Sequence, residues 1–309
     1  TYTRGGWNNS INVFKDNVYI EYLLNTFTYI GSKKPTNDIS TYYNGKIGKI
    51  NIDWNGEAYF RKMGNHQSSQ ETESMSQKIQ DVNTQYVADS RLYASKLVVT
   101  VPIWKGKLQL GSEYSNIERT SLYMIEAVSD DLPSNSDDKI KESNVSAFTS
   151  YMMNFGKSQL DAGLRYEYVV SDYYNKNVYM SEQSKSYSNF FPYVAFSFPL
   201  KNTAVNLNYN VKARRPSYNM LSGNVQYNDK YTYQGGNPLT QPAYLHTIAM
   251  NASYRWLRFY TSWRYTKNAF YQCVEPYEKN AEITVYTYRN HPHYQSMNLG
   301  MTLSPKVGG

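Results

Sequence analysis

Few residues of the types that carry catalysis are present in this chain. It has a single cysteine, Cys273, and four histidines. A cysteine nucleophile needs a histidine poised beside it, and no histidine lies near Cys273 in the sequence. A lone cysteine also cannot form an intramolecular disulfide or a multi-cysteine metal site. These residues therefore predict neither thiol chemistry nor a cysteine-based cofactor.

The histidines do not form a complete site either. His291 and His293 flank Pro292 without a cysteine or carboxylate to complete a metal-binding set, so a solvated turn between two strands is predicted there. A barrel hydrolase would need a Ser/His or Asp/His set on adjacent strands, but His246 and Ser253 lie far apart along one segment. We therefore expect no enzyme activity, no metal and no cofactor.

Two acidic pairs, Asp130-Asp131 and Asp137-Asp138, contain the ligand type that calcium prefers. They lack the D-x-D-x-D-G spacing of a calcium-binding loop. A solvated external loop is the favoured interpretation of this segment.

The charge balance permits contact with anionic partners without identifying one. The net charge is +7 and the pI is about 9.1, but basic residues are scattered among acidic ones rather than gathered in a run. This pattern argues against nucleic acid and suits lipid head groups or lipopolysaccharide. Mean hydropathy is -0.67, and no run approaches the roughly 18 apolar residues of a membrane-spanning helix.

Alternation of apolar and polar residues is the strongest structural signal. Between residues 160 and 170 one parity carries Leu160, Ala162, Leu164, Tyr166, Tyr168 and Val170, and the other carries Asp161, Arg165 and Glu167. A period of two predicts a β-strand, because successive side chains of a strand point to opposite faces. The same pattern recurs in segments 50–61, 205–214, 248–256 and 297–303.

The connections between these segments alternate in length. Short turns are predicted at Lys105-Gly106, Gly156-Lys157 and Lys201-Asn202, where Gly and Asn tolerate the positive φ of tight hairpins. Long polar connections are predicted at about 64–88, 122–142, 171–186 and 215–243. Together they predict an all-β, antiparallel up-and-down transmembrane β-barrel, with about 12–14 strands in one domain over residues 1–309.

The polar parity fits either solvent around a soluble β-sandwich or the wet lumen of a membrane barrel. Its mixture of amides and both charges favours the lumen. The residues predicted to face that lumen are Asp161, Arg165, Glu167, Asn206, Asn208, Asn210 and Lys212. The 33 tyrosines also favour the membrane, because aromatic girdles mark its boundaries. Girdle positions are predicted at Tyr29, Tyr168, Tyr187, Tyr193, Tyr254, Tyr265, Tyr288 and Tyr294.

One passage resembles a known family. Arg214-Arg215-Pro216 ends a strand, and a long loop then carries Gly236-Asn237-Pro238-Leu239 and Pro242. This order resembles the "R-x-P … G-N-P-x-L" passage of TonB-dependent outer-membrane receptors, closest to the outer-membrane β-barrel family of Gram-negative bacteria. Leu164-Arg165-Tyr166-Glu167 and Phe190-Phe191-Pro192 resemble the strand pair that precedes it. The resemblance is good over about residues 140–305 and looser before that, and Ala243 stands where the family has Glu.

The resemblance implies a transport barrel of the outer membrane, surrounded by lipid and lipopolysaccharide. External loops and the lumen wall bind a nutrient, which is released when the TonB energy complex pulls on a plug domain. Arg214 and Arg215 could grip an anionic ligand, or instead pair with loop acids or lipopolysaccharide.

Family barrels have 22 strands, so we expect this chain to be an internal piece of a longer receptor without the plug and the last strands. The alternative is a self-contained passive channel or porin, or an adhesin, that closes on its own strands without energy coupling.

Overall fold

The computed structural model describes residues 3–15, 18–30, 36–73, 79–126 and 132–305, with side chains for 36–71, 80–126 and 132–305. Sixteen strands and one short helix account for most of these residues. No helix among them is long and apolar enough to cross a membrane.

The strands are mostly long. Their bounds are β1 (Thr3–Lys15), β2 (Val18–Ile30), β3 (Thr36–Ile47), β4 (Ile50–Glu73), β5 (Ile79–Ile103), β6 (Gly106–Glu126), β7 (Ser136–Phe155), β8 (Ser158–Asn175), β9 (Val178–Tyr179), β10 (Lys185–Leu200), β11 (Thr203–Arg214), β12 (Val225–Asp229), β13 (Thr232–Gly235), β14 (Ala243–Tyr254), β15 (Leu257–Pro276) and β16 (Thr284–Leu303). Helix α1 (Tyr218–Leu221) lies between β11 and β12.

All strands join one sheet, and successive long strands pair antiparallel. Strands β2 and β3 lie in line along one edge of β4: Tyr29 pairs with His66, and Thr36 pairs with Arg61. The other edge of β4 pairs with β5 over most of its length. The predicted antiparallel up-and-down topology is confirmed.

Five short turns lie at the same end of the sheet. They occupy residues 48–49, 104–105, 156–157, 201–202 and 255–256. The first residue of each has a positive φ between 47° and 62°, which lets two strands connect tightly in the right-handed sense. The predicted turns Gly156-Lys157 and Lys201-Asn202 are confirmed. The third lies one residue earlier than predicted, at Trp104-Lys105, because Gly106 already pairs with Ile103.

The predicted long connections at 64–88 and 122–142 are wrong for much of their length. Strand β4 continues to Glu73 and β6 to Glu126, while β5 and β7 begin at Ile79 and Ser136. At this end of the sheet β4 is polar on both faces (residues 64–71), whereas β6 is apolar on both (residues 122–125). The alternation is therefore lost although the backbone ladder continues. The 171–186 segment likewise extends β8 to Asn175 before a hairpin with β9.

The apolar parity lies on the exposed face of the sheet. In β8, Leu164, Tyr166 and Tyr168 are 42%, 39% and 45% exposed, whereas Glu167 between them is 6% exposed. Other members of the exposed apolar face are Tyr93, Leu97, Leu110, Tyr114, Val145, Phe190, Leu207, Ile248, Trp263, Met297, Leu299 and Met301. A dry core between two sheets would have buried these rows, so the soluble β-sandwich is wrong.

The apolar band on this face has the height of a membrane. From Leu160 to Val170, a strand tilted about 40° rises roughly 25 Å, which is the height of the lipid-facing band of outer-membrane barrels. Above the band the same face becomes charged, with Arg91, Glu118 and Lys141 as successive cross-strand partners. Glu118 also pairs with Lys139 at 2.9 Å.

Some of the tyrosines predicted to lie in the membrane-boundary girdle lie elsewhere. Tyr168 and Tyr254 lie on the exposed face, as predicted. Tyr193 instead points to the opposite face, where its hydroxyl donates to Asp161 at 3.0 Å, and Tyr187 shares that strand parity. The side chain of Tyr29 lies outside the described residues.

The two faces predict opposite responses to the same substitution at adjacent residues of β11. Leu207→Arg should destabilise the protein in lipid by about 2–4 kcal/mol, because it places a charge on the lipid-facing side. Asn208→Arg, on the polar side, should cost much less. Urea unfolding in lipid vesicles measures both, and equal costs would contradict the assignment of faces.

Candidate functional site

The connection from residue 215 to residue 242, here called the inner loop, lies against the polar face of the sheet. It contains α1 and the β12–β13 hairpin. Its hydrogen bonds reach eight strands, β4 through β8, β10, β15 and β16. Strands so far apart in the sheet can meet one connection only if the sheet curves around it. The polar face is therefore the concave inner face.

A row of alternating charges joins the start of the inner loop to the wall. Arg165 contacts Glu113 at 2.9 Å and Glu167 at 3.2 Å, and Arg215 binds the other oxygen of Glu167. The Glu167 side chain is only 8% exposed, so its charge depends on these two guanidinium groups. We call the four residues the charge ladder.

The next residues of the inner loop extend the polar contacts across neighbouring strands. The Tyr218 hydroxyl donates to Glu142 at 3.1 Å, and burial raises the pKa of this phenol, with Glu142 adding to the effect. Tyr218 therefore stays protonated and remains a donor. Arg119 on β6 donates to Asn219 and, at 3.0 Å, to the Tyr86 hydroxyl on β5.

The family-motif residues fasten the far end of the inner loop. Asn237 donates to the Tyr288 carbonyl on β16 at 2.7 Å, and its side-chain oxygen accepts from the Leu239 amide. Gly236 approaches the end of α1 so closely that a Cβ would lie 2.2 Å from the Ser222 carbonyl. Only glycine fits there.

Two carbonyls that follow the motif bind one cation. Lys185, the first residue of β10, donates to the carbonyls of Pro238 and Thr240 at 2.5 and 2.8 Å. Pro242 is buried beside them, and Pro216 is buried at the other end of the inner loop. The motif therefore has a structural role in attaching the inner loop.

The β12–β13 hairpin is held mainly by apolar contacts. Tyr227 and Tyr233 are 3% and 1% exposed and pack with Val82, Leu132 and Val285 in a small buried cluster. Strand β13 also pairs in parallel with the start of β16. The inner loop is thus anchored by polar contacts at both ends and by a hydrophobic cluster in its middle.

The residues predicted to face the lumen all lie on this inner face. A lower cavity of about 600 Å³, nearer the short turns, is lined on this face by Lys96, Gln109, Asp161, Arg165, Asn208, Asn210 and Lys212. Asn206 donates to Ser197 at 2.7 Å and lies within reach of Asn208. Glu167 belongs to the charge ladder above this cavity.

The remaining candidate residues, two arginines and the cysteine, contact other protein groups. Arg215 pairs with a wall acid, Glu167, rather than with loop acids, and Arg214 lies over the Phe270 ring at 4.3 Å. Cys273 lies in β15 and contacts Glu275 at 3.4 Å.

Two segments predicted to be solvated connections are strands. His291-Pro292-His293 lies within β16, where His293 stacks on Tyr265, so the predicted turn is wrong. Asp138 is a buried residue of β7 that accepts from Ser222 at 2.7 Å. Asp130 and Asp131 lie outside the described residues.

Sequence reasoning did not identify Glu113, Tyr218 or Lys185 as part of this site. The signal for Glu113 is its parity, because it shares the inward face of β6 and lies opposite Ser146 on β7. The partners of Tyr218 and Lys185 lie 76 and 53 residues away along the chain, and no local pattern reports such contacts.

Residues 39–308 match the model of the outer membrane protein beta-barrel family. The chain belongs to this family. It is therefore a β-barrel protein of the outer membrane, as the motif resemblance predicted, and the match begins well before residue 140. The chain has no sequence match among curated proteins.

Solved structures share the fold at low identity. The copper transporter OprC matches with a TM-score of 0.53 and 12% identity, over 99% of this chain and 55% of that one. A ferric enterobactin receptor (PfeA) mutant from Pseudomonas aeruginosa matches with a TM-score of 0.47 and 12% identity, over 99% of this chain and 57% of that one. The Serratia marcescens hemophore receptor HasR matches with a TM-score of 0.45 and 9% identity, over 92% of this chain and 51% of that one. The chain thus spans about half the length of each.

The charge ladder predicts that Glu167→Gln loosens the inner loop. The substitution should lower the free energy of unfolding by about 2 kcal/mol, because two part-buried guanidinium groups lose charge-assisted hydrogen bonds. The rate of amide hydrogen exchange in residues 215–222 should rise in the same variant. Glu118→Gln, which breaks a part-buried pair on the outer face, is the matched control. Unchanged exchange in Glu167→Gln would show that the ladder does not hold the inner loop.

Proposed function

We propose that this chain forms part of the transport wall of a TonB-dependent receptor, which takes up a nutrient across the outer membrane. The polar inner face and the external end of the barrel would bind the nutrient and pass it toward the periplasm. The proposal is supported by family membership and by the motif resemblance, and the OprC likeness supports the fold alone.

The observation that carries the proposal is an inner loop that divides the space inside the curved sheet. An upper cavity of about 680 Å³ lies between the inner loop and the β4–β5 wall. The lower cavity of about 600 Å³ lies nearer the short turns. Free diffusion through a pore requires a continuous aqueous path. An interior that is divided by a loop is better suited to a protein that binds its solute before passing it on.

The attachment of the inner loop indicates how such a wall would work. Its bonds to Glu167, Lys185 and Asn290 are polar and reversible, unlike the buried cluster around Tyr233. A shift of residues 215–222 would therefore disturb the charge ladder while the β12–β13 hairpin stays attached. In this scheme residues 215–222 are the moving part of the inner loop and the β12–β13 hairpin is its anchor.

The surroundings follow from the outer face. The apolar band would contact acyl chains, and the charged row of Arg91, Glu118 and Lys141 above it would meet lipopolysaccharide head groups. The short turns would then face the periplasm, as they do in outer-membrane barrels.

The wall would act by binding and conformational change rather than by covalent chemistry. Among the described residues, no group of three His, Cys, Asp or Glu side chains is placed to hold a metal ion.

Energy coupling can be tested without knowing the nutrient. Mass spectrometry of spent medium would compare cells that carry the gene with a gene deletion and with a strain lacking TonB. The proposal predicts at least one solute that only the intact strain depletes. Depletion that requires this gene but persists without TonB would instead support the passive channel or porin.

A further inference from the structure

The upper cavity has the composition of a binding site for a hydrophilic ligand. It lies between β4, β5 and the inner loop, and its lining includes Arg61, Asn65, Tyr86, Asn219, Asn224 and Tyr288. Its volume of about 680 Å³ falls in the range of small-molecule sites. Most such sites are largely apolar, so the polar lining here indicates a ligand with many polar groups.

The lining combines amides with positive charge. Besides Asn65, Asn219 and Asn224, it includes the amide side chains of Gln226 and Gln234. An amide both donates and accepts hydrogen bonds, as does an alcohol hydroxyl. Arg61 also lines the cavity with its side chain on the inner face, whereas none of the described residues that line it is Asp or Glu. Hydroxyl groups and one negative charge on a ligand would complement this set.

Asn224 is a buried polar residue in the wall of this cavity. Its side chain is 2% exposed and its oxygen is hydrogen-bonded to Ser136. Its amide nitrogen, however, has no partner. A buried donor left without an acceptor is costly. The nitrogen is enclosed by protein rather than open to the cavity, so the Asn224 side chain would have to rotate before it could donate to a ligand.

We propose that the upper cavity binds a polyhydroxylated organic acid, such as an acidic disaccharide. Arg61 pairs with its carboxylate, and amides such as those of Asn65, Asn219 and Gln226 meet its hydroxyl and ring oxygens. An Arg–carboxylate pair can be bidentate and directional, so Arg61 is the residue that selects for the acid. This inference rests on the proposed transport function, because it assigns a ligand class to the space above the inner loop.

Isothermal titration of the purified protein in detergent tests the ligand class. The probes are digalacturonic acid and the neutral disaccharide maltose. We expect the acid to bind at least tenfold more tightly than maltose. Arg61→Gln should weaken binding of the acid about tenfold and leave maltose unchanged. Arg91→Gln, which removes the same charge from the outer face, is the matched control and should bind as the original protein does.

Three results would overturn the proposal. In the first, the acid and maltose bind equally tightly. In the second, the Arg61→Gln variant binds the acid as tightly as the original protein does. In the third, binding of the acid is lost in the Lys212→Gln variant of the lower cavity instead. Absence of measurable binding would also overturn it. The spent-medium experiment keeps the two proposals apart. TonB-dependent depletion without digalacturonate binding rejects only the ligand class, whereas binding without TonB dependence rejects only the transport function.

Discussion

The pairing of backbone groups in hydrocarbon is the constraint on which this structure depends. Lipid offers no hydrogen-bond partner, so every peptide group of a spanning strand must be satisfied by a neighbouring strand. The long antiparallel ladders do this, and neighbouring strands such as β5 and β6 stay in register over their full overlap. Once the ladder is fixed, each strand must present one parity to lipid and the other to the interior. The exposed Leu164 and the buried Glu167 are both consequences of that geometry.

The interior is built from polar contacts that the ladder cannot supply. Glu167 is nearly buried, and a carboxylate there is tolerable only with partners, which Arg165 and Arg215 provide from the wall and the inner loop. The same logic attaches the motif, since the carbonyls after Gly236-Asn237-Pro238 are bound by Lys185. Apolar packing contributes mainly where the β12–β13 hairpin meets the wall around Tyr233. Stability of the wall and retention of the inner loop thus depend on different interactions.

The sequence predicted the features that follow from a period of two. Strands near 160–170 and 205–214, the turns at Gly156 and Lys201, and the inward parity of Arg165 and Asn208 could be read directly, because sheet geometry imposes them locally. The ends of β4 and β6 could not, because the alternation is lost there: β4 is polar on both faces and β6 is apolar on both. The positions of Tyr187 and Tyr193 were misread for a related reason, since tyrosine suits a membrane boundary and a wet interior equally well. The partners of Arg215 and Tyr218 depend on where a long connection folds back, and no short-range pattern records that.

The most direct test of this account measures which medium each side chain of β11 meets. Single spin labels at successive residues from 204 to 211, with Cys273 replaced by serine, would be examined in lipid vesicles by electron paramagnetic resonance. Collisions with oxygen, which partitions into lipid, should peak at 205, 207, 209 and 211. Collisions with a water-soluble nickel complex should peak at 204, 206, 208 and 210. A uniform profile, or one with the two parities exchanged, would contradict an outward lipid belt around a wet interior.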